Sequence, residues 1–377
     1  MIYSSSVKQI HIIATSRCNL NCSYCYEKQK AGGTMDVDRL FTALKHEFLI
    51  TPVTLPIVLS MHGGEPLLAF SEIEDLMNRI WQEFDSRKIF VNIITNGTVL
   101  SDRIKNWLLT NHRRIDVAIS LDGLPEVHNR NRSNSYSKID IDFFRSLGHR
   151  IYAKMTVGPD AIPYMTDGFE YLYNIGFMPH VSMAAECIYT EDDMVRLSHE
   201  LNRLIRFYDK HTDIPVTEFL DIPFERMSTP ALKNPAPHRC GVGCFRAAYD
   251  TNGNRYPCQT FISDFRKGYC ADEFQKIFRI LDTENWRNIS PLCSDCVVSH
   301  ICSPCYGLNY CNRNNMGALD ENLCRINKLR IAAAAKLWAT LISTKNRYPW
   351  MRTISDGEVA LKADGIVQYL KRNAHCN

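Results

Sequence analysis

Six short runs rich in β-branched residues recur through the first half of the chain, and amphipathic stretches separate them. The runs are "KQIHIIAT", "LPIVLSMHG", "KIFVNIITN", "RIDVAISLD", "RIYAKMTVG" and "MPHVSMAAE". Helix-like segments such as "DVDRLFTALKHEFLI", "SEIEDLMNRIWQEF" and "SDRIKNWLLTNH" lie between them. Parallel neighbours need a long crossover, so this alternation predicts a parallel sheet with crossover helices, closed or partly closed as a barrel. In such a fold the chemistry gathers at the C-terminal ends of the strands. Glu65, Asn96, Ser120 with Asp122, and Glu186 all fall there.

The texture changes after the amphipathic stretch "DDMVRLSHELNRLIRFYDKH". Four prolines in "IPFERMSTPALKNPAPH" predict a linker over 222–239. Ten cysteines follow between Cys240 and Cys324, with few long periodic runs, which describes a small domain organised by metal. An alanine-rich stretch near 322–345 and a closing stretch around "EVALKADGIVQYLKRN" predict C-terminal helices. The expected fold class is therefore α/β. It comprises a partial (β/α)6 TIM-like barrel over 1–221, a small cysteine-rich domain organised by metal over 240–325, and a helical segment over 326–377.

Composition excludes several classes of function. Basic and acidic residues nearly balance, at 44 against 41, so no field favours nucleic acid or a membrane surface. No apolar run approaches a membrane span, and no secretion signal opens the chain, so a cytoplasmic location is expected. Fifteen cysteines in a cytosolic chain point to metal ligation rather than to a disulfide framework.

The N-terminal cluster is "TSRCNLNCSYCYE", with Cys18, Cys22 and Cys25 spaced C-x3-C-x2-C in the loop after the first strand. Three thiolates can hold three irons of a 4Fe–4S cube and leave the fourth open for chemistry. Zinc is the rival, but no histidine nearby in the sequence completes a tetrahedron.

This spacing, with Tyr24 before the last cysteine, resembles the radical S-adenosylmethionine (SAM) enzymes. Three further stretches match that family in order: "GGEP" at Gly63, Gly64, Glu65 and Pro66, "ITNGT" around Asn96, and "ISLDG" with Ser120 and Asp122. "HNRNR", ending at Arg132, follows. The resemblance implies that the open iron chelates SAM. It also implies that Gly63, Gly64 and Glu65 meet the amino group, with glycine letting backbone approach the ligand, and that Ser120 and Asp122 lie on the ribose side. Tyr24, Asn96 and Arg132 complete the expected cofactor site.

The downstream cysteines resemble the SPASM extension of peptide- and protein-modifying radical SAM enzymes, which carries two auxiliary 4Fe–4S clusters. By position, Cys240, Cys244, Cys258 and Cys305 would hold one, and Cys293, Cys296, Cys302 and Cys324 the other. The usual last gap is C-x3-C, whereas here Tyr306 takes that position and the cysteine arrives at Cys305; Cys311 is the alternative. A zinc ribbon is the rival reading of the C-x2-C pairs.

The implied activity is a peptide maturase. It would use SAM and three clusters to abstract hydrogen from a short precursor peptide or protein and cross-link it. A flavodoxin- or ferredoxin-type electron donor and a separate leader-binding protein are the expected partners. Formylglycine formation, as in anaerobic sulfatase-maturating relatives, is the alternative, and a non-catalytic zinc or redox module is a second. Sulfatase-maturating relatives place an aspartate base where this chain has Gln259, and an amide cannot take a proton near neutral pH. Glu186, at the end of the sixth strand, is the expected catalytic base.

Overall fold

The computed structural model describes residues 7–27, 30, 32–148, 151–185, 187–228, 240–262, 293, 295–299, 301–302 and 304–374. The six expected strands are present as β1 (Lys8–Thr15), β2 (Ile57–Gly63), β3 (Ile89–Thr95), β4 (Ile115–Ser120), β5 (Ile151–Val157) and β6 (Met178–Met183). Crossovers carry α1 (Val37–Ile50), α2 (Phe70–Glu83), α3 (Asp102–Thr110), α4 (Pro125–Asn131), α5 (Ile141–Ser146) and α6 (Met165–Asn174). The chain divides into two compact units.

The first unit holds 1–156, 172–179 and 237–284, and so contains the sheet, including the first two residues of β6. Two strands that periodicity did not predict, β7 (Arg246–Tyr249) and β8 (Arg255–Tyr256), extend it, giving the order β6-β5-β4-β3-β2-β1-β7-β8. The first seven strands in this order run parallel where their register is recorded, and β8 alone turns back against β7. Each strand has one aliphatic and one polar face. Ile10 and Ile12 on β1, Leu59 and Met61 on β2, Val91 on β3 and Ile119 on β4 are fully buried. Helices supply matching apolar stripes, such as Leu40, Leu44 and Phe48 on α1, whose first turn is capped by the Asp36 carboxylate accepting from the Arg39 amide. The opposite face carries Gln9, His11, Ser60, His62, Asn92, Asp116, Ser120 and Lys154, as alternation requires.

The sheet also takes in residues beyond the expected linker. Residues 246–249 pair with β1 in parallel register, Gln9 opposite Arg246 and His11 opposite Ala248. A buried ion cluster fixes this edge: Glu47 accepts from Lys8 at 2.7 Å, from Arg255 at 2.6 Å and from the Tyr249 hydroxyl at 2.9 Å. Burial alone would raise the Glu47 pKa, but the hydrogen bonds from Arg255 and Lys8 bring it down to about 2.

The second unit holds 157–171, 180–236 and 285–377. Its helices include α7 (Glu191–Lys210), α8 (Glu225–Ser228), α9 (Tyr306–Arg313), α10 (Glu321–Ser343) and α11 (Asp356–Asn373). Of the span expected as a linker, residues 222–228 are described. Ile222, Phe224 and Met227 are buried, and Phe224 stacks edge-on against Tyr369 of α11 at 6.2 Å. The rest of that span, 229–239, lies outside the described residues. No described helix is long and apolar enough to cross a membrane.

Candidate functional site

The cysteine loop, residues 16–27, leaves the C-terminal end of β1 and is tied down by three strand ends and by the segment after α4. Backbone first: the Gly64 N–H donates to Thr15 O and the Glu65 N–H to Arg17 O, both at 2.8 Å. A Cβ on Gly63 would lie 2.1 Å from Thr15 O, and one on Gly64 would lie 2.2 Å from Arg17 O. The close approach these glycines permit here is to the chain entering the cysteine loop.

Glu65 is 1% exposed, and its carboxylate is fully engaged. Oε1 accepts from Thr95 Oγ1 at 2.7 Å and from the Leu67 N–H at 3.1 Å, and Oε2 accepts from the Asn96 N–H at 2.7 Å. Burial pushes its pKa up to about 7, opposed by the Asn96, Thr95 and Leu67 donors. Three donors and no acceptor among these contacts favour the ionised form. Glu65 therefore locks the end of β2 to the end of β3.

Asn96 passes the lock onward. Its Nδ2 donates to Asn19 Oδ1 at 2.9 Å, Asn19 Nδ2 donates to Thr98 Oγ1 at 2.7 Å, and Thr98 Oγ1 returns to Asn96 Oδ1 at 2.8 Å. This ring grips the loop between Cys18 and Cys22.

Asp122 performs the same office from β4. Its Oδ2 accepts from the Tyr24 hydroxyl at 2.6 Å and lies 3.0 Å from Arg132 Nε, while Oδ1 accepts from the Thr156 N–H at 3.1 Å. The Arg132 guanidinium lies over the Tyr24 ring at 5.3 Å, and its Nη1 is 4.0 Å from Cys22 Sγ. The Asn21 N–H donates to Ser133 Oγ at 2.8 Å and the Ser23 N–H to Asn131 O at 2.9 Å.

The expected cofactor residues Tyr24, Gly63, Gly64, Glu65, Asn96, Asp122 and Arg132 thus meet around the cysteine loop. Ser120, 9% exposed, ends β4 opposite Lys154 on the polar face. Glu186 lies outside the described residues.

The thiols of Cys18, Cys22 and Cys25 are free and partly buried. Burial pushes the Cys18 and Cys25 thiols up; Lys30 opposes this at both, and both feel Cys22. Lys30 Nζ is anchored to Leu20 O at 2.7 Å. Among the described residues no group of three or more His, Cys, Asp or Glu side chains is drawn together tightly enough to hold a single metal ion. A four-iron cube does not ask for that, since each thiolate binds a different iron. Three free thiols on one loop, with Lys30 acting on Cys18 and Cys25 and Arg132 beside Cys22, fit such a group.

Of the downstream cysteines in the first unit, Cys244 is exposed and Cys258 is buried, with Gly243 N–H bonded to Pro257 O at 3.3 Å between them. In the second unit burial pushes the Cys293 and Cys324 thiols up, and the nearby Cys296 adds to the effect at both. Cys305 caps the start of α9, and Cys311 lies within that helix.

Sequence reading missed a histidine pair on the polar face. His11 Nδ1 and His62 Nε2 are 2.8 Å apart, and His11 Nε2 is buried without a partner. Burial holds both below the ordinary histidine range, His62 at about 3, and Lys154 and Arg246 add to the effect. Both are therefore neutral near pH 7. Writing the alternate positions of β1 and β2 side by side would have shown them on one face.

Comparison with known proteins agrees with this architecture. Residues 12–166 match the Radical SAM superfamily. The subtilosin biosynthesis protein AlbA of Bacillus subtilis (strain 168), an antilisterial bacteriocin pathway protein by name, is 24% identical over 323 residues, covering 78% of this chain and 66% of AlbA. A cysteine-type anaerobic sulfatase-maturating enzyme of Clostridium novyi (strain NT) is 29% identical over 33% of this chain and 36% of its own length. The chain thus spans from about a third to just under two thirds of these two curated relatives. The solved structure "Native anSMEcpe with bound AdoMet and Cp18Cys peptide" superposes with a TM-score of 0.68 at 18% identity, over 90% of this chain and 98% of that one. At that identity the likeness concerns the fold.

Proposed function

We propose that this chain, whose residues 12–166 are a radical SAM domain, is a peptide maturase that oxidatively cross-links a ribosomally made peptide. The observation that carries the reading is the convergence of Glu65, Asn96, Asp122 and Arg132 from separate strand ends and α4 onto one three-cysteine loop. The domain implies SAM and a 4Fe–4S cluster, and AdoMet is present in the solved structure similar in fold.

Cys18, Cys22 and Cys25 would hold the cluster. When bound, the cluster and SAM supply a 5′-deoxyadenosyl radical able to take hydrogen from an unactivated C–H. The chain's own residues position and shield. Glu65 and the Asn96–Asn19–Thr98 ring hold the loop at a fixed place on the sheet, so that loop position does not depend on the ligand. Asp122 restrains Tyr24 beside the loop.

Two auxiliary clusters, held by Cys240, Cys244, Cys258 and Cys305 and by Cys293, Cys296, Cys302 and Cys324, belong to this reading. So do a flavodoxin- or ferredoxin-type donor, a leader-binding partner, Glu186 as a base, and a cytoplasmic location. A peptide substrate is favoured by AlbA and by the peptide named in the anSMEcpe complex. Formylglycine formation is the second reading. Against it, Gln259 stands where those relatives carry a carboxylate, and its Oε1 is buried without a partner.

The test is anaerobic reconstitution followed by mass spectrometry of any short peptide encoded beside the gene. We expect about twelve irons per chain and a product lighter by two hydrogens per event. Cys18→Ala, Cys22→Ala and Cys25→Ala together should remove about four irons and all SAM cleavage. A zinc-loaded, iron-free protein that retains activity would refute the reading. A cysteine-to-aldehyde mass change would transfer it to formylglycine formation.

A further inference from the structure

We propose that Arg132 is a fixed positive charge directed at the Cys22 sulfur, and that it raises the reduction potential of the cluster held by Cys18, Cys22 and Cys25. The inference rests on the cluster assignment above and adds to it a residue that sets how easily that cluster takes its electron.

Arg132 is 7% exposed, and three contacts fix its orientation. Its Nε end faces Asp122 Oδ2 at 3.0 Å, its plane covers the Tyr24 ring, and its Nη1 end is 4.0 Å from Cys22 Sγ. Tyr24 is in turn held by donating to the same Asp122 oxygen at 2.6 Å. The guanidinium is thus clamped on one edge and one face, and the free edge is turned to the thiol.

The main chain is equally constrained. Asn131 and Ser133, on either side of Arg132, accept from the Ser23 and Asn21 amides of the cysteine loop. Ser133 and Asn134 adopt left-handed backbone, with φ of 54° and 53°. Non-glycine residues take that conformation at a cost, which the surrounding hydrogen bonds sustain. The arginine therefore moves with the loop and keeps its distance from Cys22.

A ligated cysteine is a thiolate, and reduction adds one more negative charge to the group that it holds. A cation a few ångström away favours the reduced form over the oxidised one. Hydrogen bonds to cluster sulfurs act in the same direction. Lys30 contributes positive charge from the other side of the loop, but its ammonium is tied to Leu20 O and Asn21 Oδ1 rather than to a sulfur. Arg132 alone among the described residues donates from a guanidinium to one of these three thiols in the recorded hydrogen bonds.

The experiment is a dithionite titration of the full-length, anaerobically reconstituted protein, followed by electron paramagnetic resonance. The relevant signal is the one that the triple Cys18, Cys22, Cys25→Ala variant lacks. Arg132→Met should shift the reduction equilibrium of that signal about tenfold toward the oxidised form, which is about 59 mV for one electron, with iron content unchanged. Arg132→Lys should recover part of the shift, and Asp122→Asn, which removes a negative charge, should move it in the opposite direction. A midpoint in Arg132→Met equal to that of the wild type overturns the proposal, as does a shift of the same sign in Asp122→Asn. Equal iron loss in the Met and Lys variants would assign Arg132 to folding alone and also overturn it. If the wild type shows no signal that the triple variant lacks, the cluster assignment itself falls, an outcome distinct from an unmoved midpoint.

Discussion

Replacing Glu65 tests whether the motif residues at the strand ends serve the protein or the ligand. Glu65→Ala removes the acceptor shared by Thr95 Oγ1, the Asn96 N–H and the Leu67 N–H in a site that is 1% exposed. A buried donor left without a partner costs about 1–3 kcal/mol. Water entering the vacated space recovers some of this, so a net loss of about 3–5 kcal/mol is expected. Glu65→Gln keeps one acceptor oxygen but turns an NH2 group toward a donor, for a loss of about 1–3 kcal/mol.

The pH dependence has a definite sign. The folded carboxyl titrates at about 7 against an ordinary 4.5, so the folded state binds its proton more tightly than the unfolded chain. That contribution is present below pH 4.5 and is lost as pH rises through 7. The wild type should therefore gain on Glu65→Gln as pH falls from 7 to 5, by at most about 3 kcal/mol. The assay is urea denaturation of each variant under identical anaerobic conditions, with SAM affinity measured alongside. A Glu65→Ala protein of unchanged stability but weakened SAM binding would show that the carboxylate faces the cofactor, and the lock described above would be wrong.

Two further substitutions follow from local geometry. Gly64→Ala places a methyl 2.2 Å from Arg17 O, so the loop must shift. We expect about 1–3 kcal/mol of destabilisation by urea denaturation, with loss of iron on reconstitution. Cys305 follows Pro304 in a tight turn at the N-terminus of α9, whereas Cys311 lies inside the helix. Cys305→Ala should therefore lose about four irons and Cys311→Ala none; the reverse iron count reassigns the ligand.

The βα framework was legible because each strand alternates an aliphatic and a second face, and each crossover buries a stripe. β1 was read residue for residue, and α1 to within one residue. What local pattern could not show was structure made by distant pairing. β7 is four residues long, follows a glycine-rich cysteine turn, and is a strand because Gln9 to Ile12 offer it a partner. The same limit explains the linker. Prolines mark where a helix cannot run, but Phe224 is buried because α11 returns more than a hundred residues later to cover it.

The motifs were legible as motifs, and their local roles were not. Strand-end position located Glu65, Asn96 and Asp122, and the family resemblance located Arg132, yet each side chain spends its polar atoms on the cysteine loop or on a neighbour that holds it. A loop carrying three thiols has little core of its own, since Cys18, Cys22 and Cys25 all remain partly exposed. Its shape must be imposed from outside, and strand ends are where a parallel sheet can offer fixed groups to do so. On this argument a substitution in these motifs acts first through loop geometry and only then through contact with a cofactor. Stability and iron content should therefore change before SAM affinity does, and the Glu65 and Gly64 variants measure that order directly.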